Sequence, residues 1–130
     1  MVVLDNVRSA LNVGAIFRTS DAAGVDELLL YGITPDGEHP KVKKTALGAE
    51  AYVNWRSIKK LDELLTYFKD NNLVVISIEQ TENAHLYTDV VKKCAKSDNI
   101  AIIMGTEING VSPKLIEESN YVANLPMLGN

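Results

Sequence analysis

Disulfides, metal centres and membrane spans have almost nothing to be built from in this sequence. A single cysteine, Cys94, excludes an internal disulfide framework and suits a reducing compartment. With no histidine near it in sequence, it reads as a plain thiol. The two histidines, His39 and His85, show no metal-ligand spacing. No apolar run approaches the ~18 residues that span a bilayer. The opening Met1-Val2-Val3-Leu4-Asp5 is too short for a signal peptide and lacks its basic flank. There is no G-x-G-x-x-G after Val2-Val3-Leu4 and no Walker loop, so the common nucleotide fingerprints are missing. Neither a Ser-His-Asp nor a Cys-His arrangement can be assembled, which disfavours a hydrolase. An excess of positive charge is lacking as well. Thirteen Lys and Arg against seventeen Asp and Glu give a net charge of -4, which argues against indiscriminate binding to nucleic acid.

What is present fits one α/β domain over residues 1–130, with 46% hydrophobic and 23% charged residues. The charge is unevenly spread. Lys41, Lys43 and Lys44 sit together with His39, and Arg8 and Arg18 lie in the first segment. A local basic patch on an acidic protein is compatible with selective binding to a polyanion, and equally with a solvated lysine face.

Apolar runs and helical spacing alternate along the chain. Val2-Val3-Leu4 reads as a strand. Ser9 or Asn12 caps a helix that runs through Ala23 and stops at Gly24, with Val13, Ile16, Phe17, Ala22 and Ala23 as its buried stripe. Residues 27–32 form the next strand, residues 41–47 a short helix before Gly48, and residues 52–55 a brief strand. Leu61, Leu64, Leu65 and Phe68 mark an amphipathic helix over 60–71. Residues 73–78 form a buried strand, 79–83 a polar loop, and 83–97 a loop with one turn of helix. This alternation predicts a parallel sheet with helices on both faces.

Residues 100–130 carry the densest signals. Ile100-Ala101-Ile102-Ile103-Met104 is a buried strand running straight into Gly105-Thr106-Glu107-Ile108-Asn109-Gly110. A glycine at the carboxyl end of a strand lets a ligand approach the backbone, and in open α/β sheets that edge is where ligands bind. Ser112-Pro113 looks like an N-cap with proline at the first helical position, opening a helix over 113–119. Residues 121–125 return as a strand, and residues 126–130 form a second loop at the same edge. Arg18, on an otherwise apolar helix, needs a partner or solvent, because an unpaired buried charge is costly. Asn12 and Gly14 precede it where strand passes into helix, beside an edge suited to anions.

Several of these segments together resemble the SpoU branch of the SPOUT RNA methyltransferases. Residues 5–19, DNVRSALNVGAIFRT, are similar to its first motif. Met104-Gly105-Thr106-Glu107 with Gly110-Val111 is similar to the second, and Leu125-Pro126-Met127-Leu128-Gly129-Asn130 to the opening of the third. Leu47-Gly48-Ala49-Glu50 looks like the family's loop after its second strand. The likeness covers essentially the whole chain in the right order.

The resemblance implies a cytoplasmic homodimer that transfers a methyl group from S-adenosylmethionine to a ribose 2′-hydroxyl of tRNA or rRNA without a metal. It implies a trefoil knot in the carboxyl-terminal part of the chain. Carried over by position, Asn12, Arg18 and Glu107 are the catalytic candidates. Ile78, Gly105, Leu125 and Leu128 are the cofactor contacts, and Arg8, Lys41, Lys43 and Lys44 are candidates for contact with RNA. A literal base role for Arg18 is physically awkward, since guanidinium stays protonated. Holding a phosphate or the ribose while stabilising alkoxide charge suits it better, with Asn12 positioning Arg18 or the ribose, and Glu107 orienting Arg18 or Asn12 or binding RNA backbone groups. The family's third motif continues into a Ser-Leu-Asn run and a final helix, whereas this sequence stops at Asn130. The expectation is therefore a catalytic domain truncated at its carboxyl end, without the helix that completes the knot. Two other readings stay open: a non-catalytic module that binds S-adenosylmethionine or RNA, and an unrelated flavodoxin-like domain.

Overall fold

A computed structural model describes residues 1–80, 84–96 and 98–125. Its centre is a seven-stranded, wholly parallel sheet. The strands are β1 (Val2–Asp5), β2 (Leu28–Tyr31), β3 (Trp55–Ile58), β4 (Leu73–Ile78), β5 (His85–Leu86), β6 (Asn99–Met104) and β7 (Tyr121–Asn124). They lie in the order β3-β2-β1-β6-β4-β7-β5. Parallel strands are covered on both faces, which is why LLLY, LVVISI and NIAIIM read as continuous apolar runs.

Alternate residues feed two cores. Val3, Leu29, Val75, Ala101 and Ile103 pack on one face with Leu64 and Phe68 of α3 (Leu61–Asp70) and Leu115 of α5 (Pro113–Glu117). Leu4, Leu28 and Leu30 point to the other face. There they meet Val13 and Phe17 of α1 (Ala10–Ala23) and Val42 and Ala46 of α2 (Pro40–Ala46). Further along that second face, Val90 of α4 (Tyr87–Lys93) covers Ile76 and Ala123. Ile100 of β6 is half-buried against that cluster, Ile102 is half-buried, and Met104 is exposed.

The last strand is inserted between two earlier neighbours. β7 pairs with β4 on one side (Ile78 beside Ala123) and with β5 on the other (His85 beside Ala123), although β4 and β5 follow each other in sequence. Residues 126–130 lie outside the described residues, Leu128 and the second loop expected there among them.

Four expectations need correction. First, Ala22 and Ala23 are exposed, and Gly14 and Ser20 take their place in the buried row of α1. Five residues past Phe17, Ala22 falls on the far side of a 3.6-residue turn. Gly14 is buried because α2 crosses there, and a Cβ on it would sit 1.9 Å from Thr45 Oγ1 and 2.3 Å from the Val42 carbonyl. Second, the strand expected at 52–55 begins only at Trp55. The N–H groups of Tyr52 and Val53 turn back to the Ala49 carbonyl at 3.0 and 2.9 Å, closing the 3-10 helix Ala49–Ala51, and Tyr52 is 80% exposed. Third, the region 83–97 holds β5 and a seven-residue helix, α4, rather than one turn. Fourth, α5 stops at Glu117 rather than 119, and the Ser112 side chain makes no cap hydrogen bond.

Candidate functional site

Because every strand is parallel, all carboxyl ends lie along one edge. β6, β4 and β7 are consecutive in the sheet, so Gly105, Ile78 and Leu125, which follow or end them, are brought side by side. Three of the four expected cofactor contacts therefore share one stretch of the edge. Ile78 is half-buried and Leu125 is 43% exposed.

The loop after β6 is a closed ring. The Gly110 N–H donates to the Thr106 carbonyl at 2.8 Å, and the Asn109 N–H donates to Thr106 Oγ1 at 2.9 Å. The ring closes against Gly105, where a Cβ would lie 2.0 Å from the Gly110 carbonyl carbon and oxygen. Glycine is thus required at 105 by the protein's own backbone, apart from any ligand. Glu79, at the end of β4, braces the ring. Its Oε1 accepts the Val111 N–H at 2.5 Å, and its own N–H donates to Ala123 of β7 at 2.9 Å. Gln80 Nε2 then donates to the Leu125 carbonyl at 2.7 Å, tying the exit of β7 to the same segment. Glu107 and Ile108 stand at the tip of the ring, and Ile108 is 93% exposed.

Asp5 anchors the far side of the ring. It is almost fully buried; one oxygen accepts the Ser112 N–H at 2.6 Å, and the other accepts from Asn6 Nδ2 at 2.9 Å. Burial, and then the Asp5 charge, push the Tyr31 phenol above its ordinary range.

The catalytic candidates of the first motif, Asn12 and Arg18, lie on α1. Ser9 caps α1 by accepting the Asn12 N–H at 3.2 Å, so Ser9 is the cap and Asn12 lies inside the helix. Gly24, at φ 72, ends it in a left-handed turn. Asn12 and Arg18 are both exposed. No hydrogen bond or ion pair among the described residues links them to Gly105 or Glu107, and α1 packs on α2 and the 3-10 helix. Leu11, Ala15 and Ala22 are exposed on the same helix, so α1 carries small and apolar residues on its outer side as well as its inner one.

Of the basic candidates, Lys41 and Lys44 are exposed without an ion-pair partner among the described residues, as is Arg8. Lys43 pairs with Glu38 at 3.5 Å. Glu79 and Asp5, which hold the ring in place, had a weak signal in the sequence: each is a carboxylate at the end of a buried apolar run. Among the described residues no group of three or more His, Cys, Asp or Glu is placed to hold a metal ion. No helix among them is long and apolar enough to cross a membrane.

The parallel sheet agrees with what comparison with known proteins finds. The whole chain, residues 1–130, matches the SpoU rRNA Methylase family, and the protein belongs to that family. It is 27% identical over 129 residues to the 23S rRNA (guanosine-2′-O-)-methyltransferase RlmB of Neisseria meningitidis, covering 99% of this chain and 50% of that one. It is 30% identical over 128 residues to the tRNA (guanosine(18)-2′-O)-methyltransferase of Thermus thermophilus, covering 98% and 63%. Among solved structures, an AdoMet-bound rRNA methyltransferase from Sinorhizobium meliloti superposes with a TM-score of 0.82 at 25% identity, covering 99% of this chain and 48% of that one. The chain thus spans about half to two thirds of the length of these relatives.

Proposed function

We propose that residues 1–130 form the methyl-transferring domain of an S-adenosylmethionine-dependent RNA ribose 2′-O-methyltransferase. The observation that carries this reading is the convergence of Gly105, Ile78 and Leu125 on three adjacent strand ends, with the 105–111 ring held by Glu79. This stretch fits the adenosine end of the cofactor. Ile78 and Leu125 offer apolar contact, and the strand ends offer backbone groups to the edge of an adenine. When bound, the cofactor supplies an electrophilic sulfonium methyl group. The relatives named above methylate 23S rRNA and tRNA, which supports an RNA substrate.

In this reading Arg18 binds the ribose or its phosphate through its planar fork and stabilises alkoxide charge as the hydroxyl loses its proton. Asn12 positions the ribose, and Glu107 orients the guanidinium. Arg18 and Glu107 are unlinked within one chain, so the reading includes a homodimer in which the outer side of α1 meets a second copy. The exposed Leu11, at 45%, with Ala15 and Ala22 beside it, gives that side surface worth burying. Lys41 and Lys44 extend the RNA-contacting surface, and the setting is the cytoplasm.

Mass spectrometry of nucleosides from cells with and without the gene tests the activity. Loss of one 2′-O-methylated species is the expected result, and an unchanged set rejects it. Mixing inactive Arg18→Ala and Glu107→Gln subunits tests the arrangement. Activity returns on mixing if the two residues meet across the dimer, and stays absent if they do not.

A further inference from the structure

Further along the same edge, the ends of β1, β2 and β3 frame a hollow of ≈ 570 Å³, and of its lining residues only Arg8 is among the expected RNA contacts. That size lies within the ~300–1,000 Å³ typical of small-ligand clefts. Its lining includes Arg8, Ile33, Pro35, Asp36, His39 and Lys59.

The floor is rigid. Thr34 is fully buried, and its hydroxyl accepts the Val7 N–H at 3.0 Å while lying 2.8 Å from the Tyr31 carbonyl. Asn6 adopts φ 53, and its Oδ1 accepts the Ile33 N–H at 3.0 Å. Gly32, at φ 69, is needed beside it, because a Cβ would lie 2.0 Å from that same oxygen. This fixed backbone holds the Ile33 side chain out, 57% exposed.

The polar groups are of two kinds. Arg8 and Lys59 are cations with no carboxylate partner among the described residues; Lys59 Nζ reaches only the Gly32 carbonyl, at 3.2 Å. His39 Nδ1 accepts the Lys41 N–H at 3.1 Å, which leaves Nε2 as the donor of the neutral ring. Asp36 Oδ1 accepts the Glu38 N–H at 2.8 Å, and its second oxygen has no donor among the described residues. With two carboxylates, Asp36 and Glu38, beside the two cations, and Glu38 paired with Lys43 at 3.5 Å, the hollow opposes a bare anion. It suits a ligand that carries a phosphate at one end and N–H donors at the other, with an apolar face between them.

We infer that the hollow takes one unstacked nucleotide of the RNA. Its phosphate lies on Arg8 and Lys59, its base on Ile33 and Pro35, and a base N–H donates to Asp36. This inference rests on the proposal that the substrate is RNA. Single-stranded RNA is read in this way, by splayed bases laid on side chains and hydrogen-bonded at their edges.

The test measures binding of a short fluorescein-labelled single-stranded RNA, and of inorganic polyphosphate, across a range of salt. Arg8→Ala/Lys59→Ala is expected to weaken RNA binding ~10-fold and to flatten the salt dependence by about 0.7 per lost phosphate contact. Lys69→Ala, at the end of α3, changes neither. Ile33→Ser weakens RNA binding and leaves polyphosphate binding unchanged. Asp36→Asn, which keeps the turn oxygen, weakens RNA binding and strengthens polyphosphate binding. An unchanged RNA affinity and salt slope in the double variant overturns the inference. Equal responses of RNA and polyphosphate to Ile33→Ser and Asp36→Asn overturn it too. Methyl transfer in the same samples separates the two claims. Raised KM with unchanged kcat in the variants supports the hollow. Variants that methylate RNA as well as the wild-type protein does reject the hollow alone. Binding that depends on the hollow in a protein without methyl transfer rejects the methyltransferase and leaves the hollow standing.

Discussion

The Asp5 carboxylate and the Ser112 N–H are joined at 2.6 Å across 107 residues of chain. This contact ties the end of the first strand to the start of α5, just past the 105–111 ring. Asp5 is buried, so its loss leaves the Ser112 N–H without an acceptor. Asp5→Ala is expected to lower unfolding free energy by about 1.5–3 kcal/mol, the range for hydrogen bonds to charged groups. Asp5→Asn retains an acceptor and loses less. Urea unfolding of the two variants, with the slope of each transition compared with wild type, checks this.

Two tyrosines are expected to weaken the fold at alkaline pH. Burial, with the Asp5 charge behind it, raises the Tyr31 phenol. Burial also raises Tyr67, followed by its hydrogen bond and charge interaction with Glu27, while Arg56, 4.9 Å above the ring, pulls the other way. Tyr67 Oη donates to Glu27 Oε1 at 2.8 Å. In the unfolded chain both phenols ionise near the ordinary ~10. Below that value their contribution to stability is complete. Above it the unfolded state binds fewer protons than the folded one, and the contribution is lost as pH rises through the folded values. Stability is expected to fall above pH ~10, and less steeply in Tyr67→Phe. Tyrosinate absorbance followed alongside circular dichroism reads both.

The ring after β6 depends on Gly110. It sits at φ 65, and a Cβ there would meet Glu79 Oε1 at 2.3 Å. Gly110→Ala is expected to cost about 1–3 kcal/mol, as overpacking does, and to weaken cofactor binding measured by calorimetry. Adding Glu79→Ala removes the contact and leaves the left-handed backbone penalty of about 1–2 kcal/mol, along with an unpaired Val111 N–H. If the double variant is no more stable than the sum of the single ones predicts, the Glu79 contact is not the source of the strain.

The elements that could be read from the sequence are those whose partners are near in the chain or repeat at a fixed period. The runs at 73–78 and 100–104 predict β4 exactly and β6 to one residue, because a strand covered on both faces needs apolar residues throughout. Ser9 and Gly24 mark the ends of α1 by local chemistry alone. The inner row of α1 was misjudged because a second helix, α2, presses on Gly14, and a crossing helix leaves no periodic trace. The same holds at the site. Gly105, Ile78 and Leu125 are cofactor candidates through the family resemblance, and it is the sheet order that brings them side by side. The brace from Glu79 to Val111 and the anchor from Asp5 to Ser112 span 32 and 107 residues, and spacing along the chain does not encode such pairs.

Arg18 offers the sharpest separation of chemistry from stability. Its side chain is exposed on α1, outside both cores, so Arg18→Lys is expected to change unfolding free energy by no more than about 0.5 kcal/mol. Lysine keeps the positive charge and the long stem. It loses the planar pair of donors that holds a phosphate or ribose oxygen in a fixed direction. The expected result is a fall in kcat of ~10²-fold or more, the size seen when one preorganised donor to a developing oxyanion is removed. Cofactor affinity by calorimetry stays at the wild-type value, because the proposed contacts Ile78, Gly105 and Leu125 are untouched. RNA affinity falls only slightly, since net charge is unchanged. A lysine variant that methylates at the wild-type rate shows that charge alone suffices at this position, and the alkoxide-stabilising role must then belong to another group.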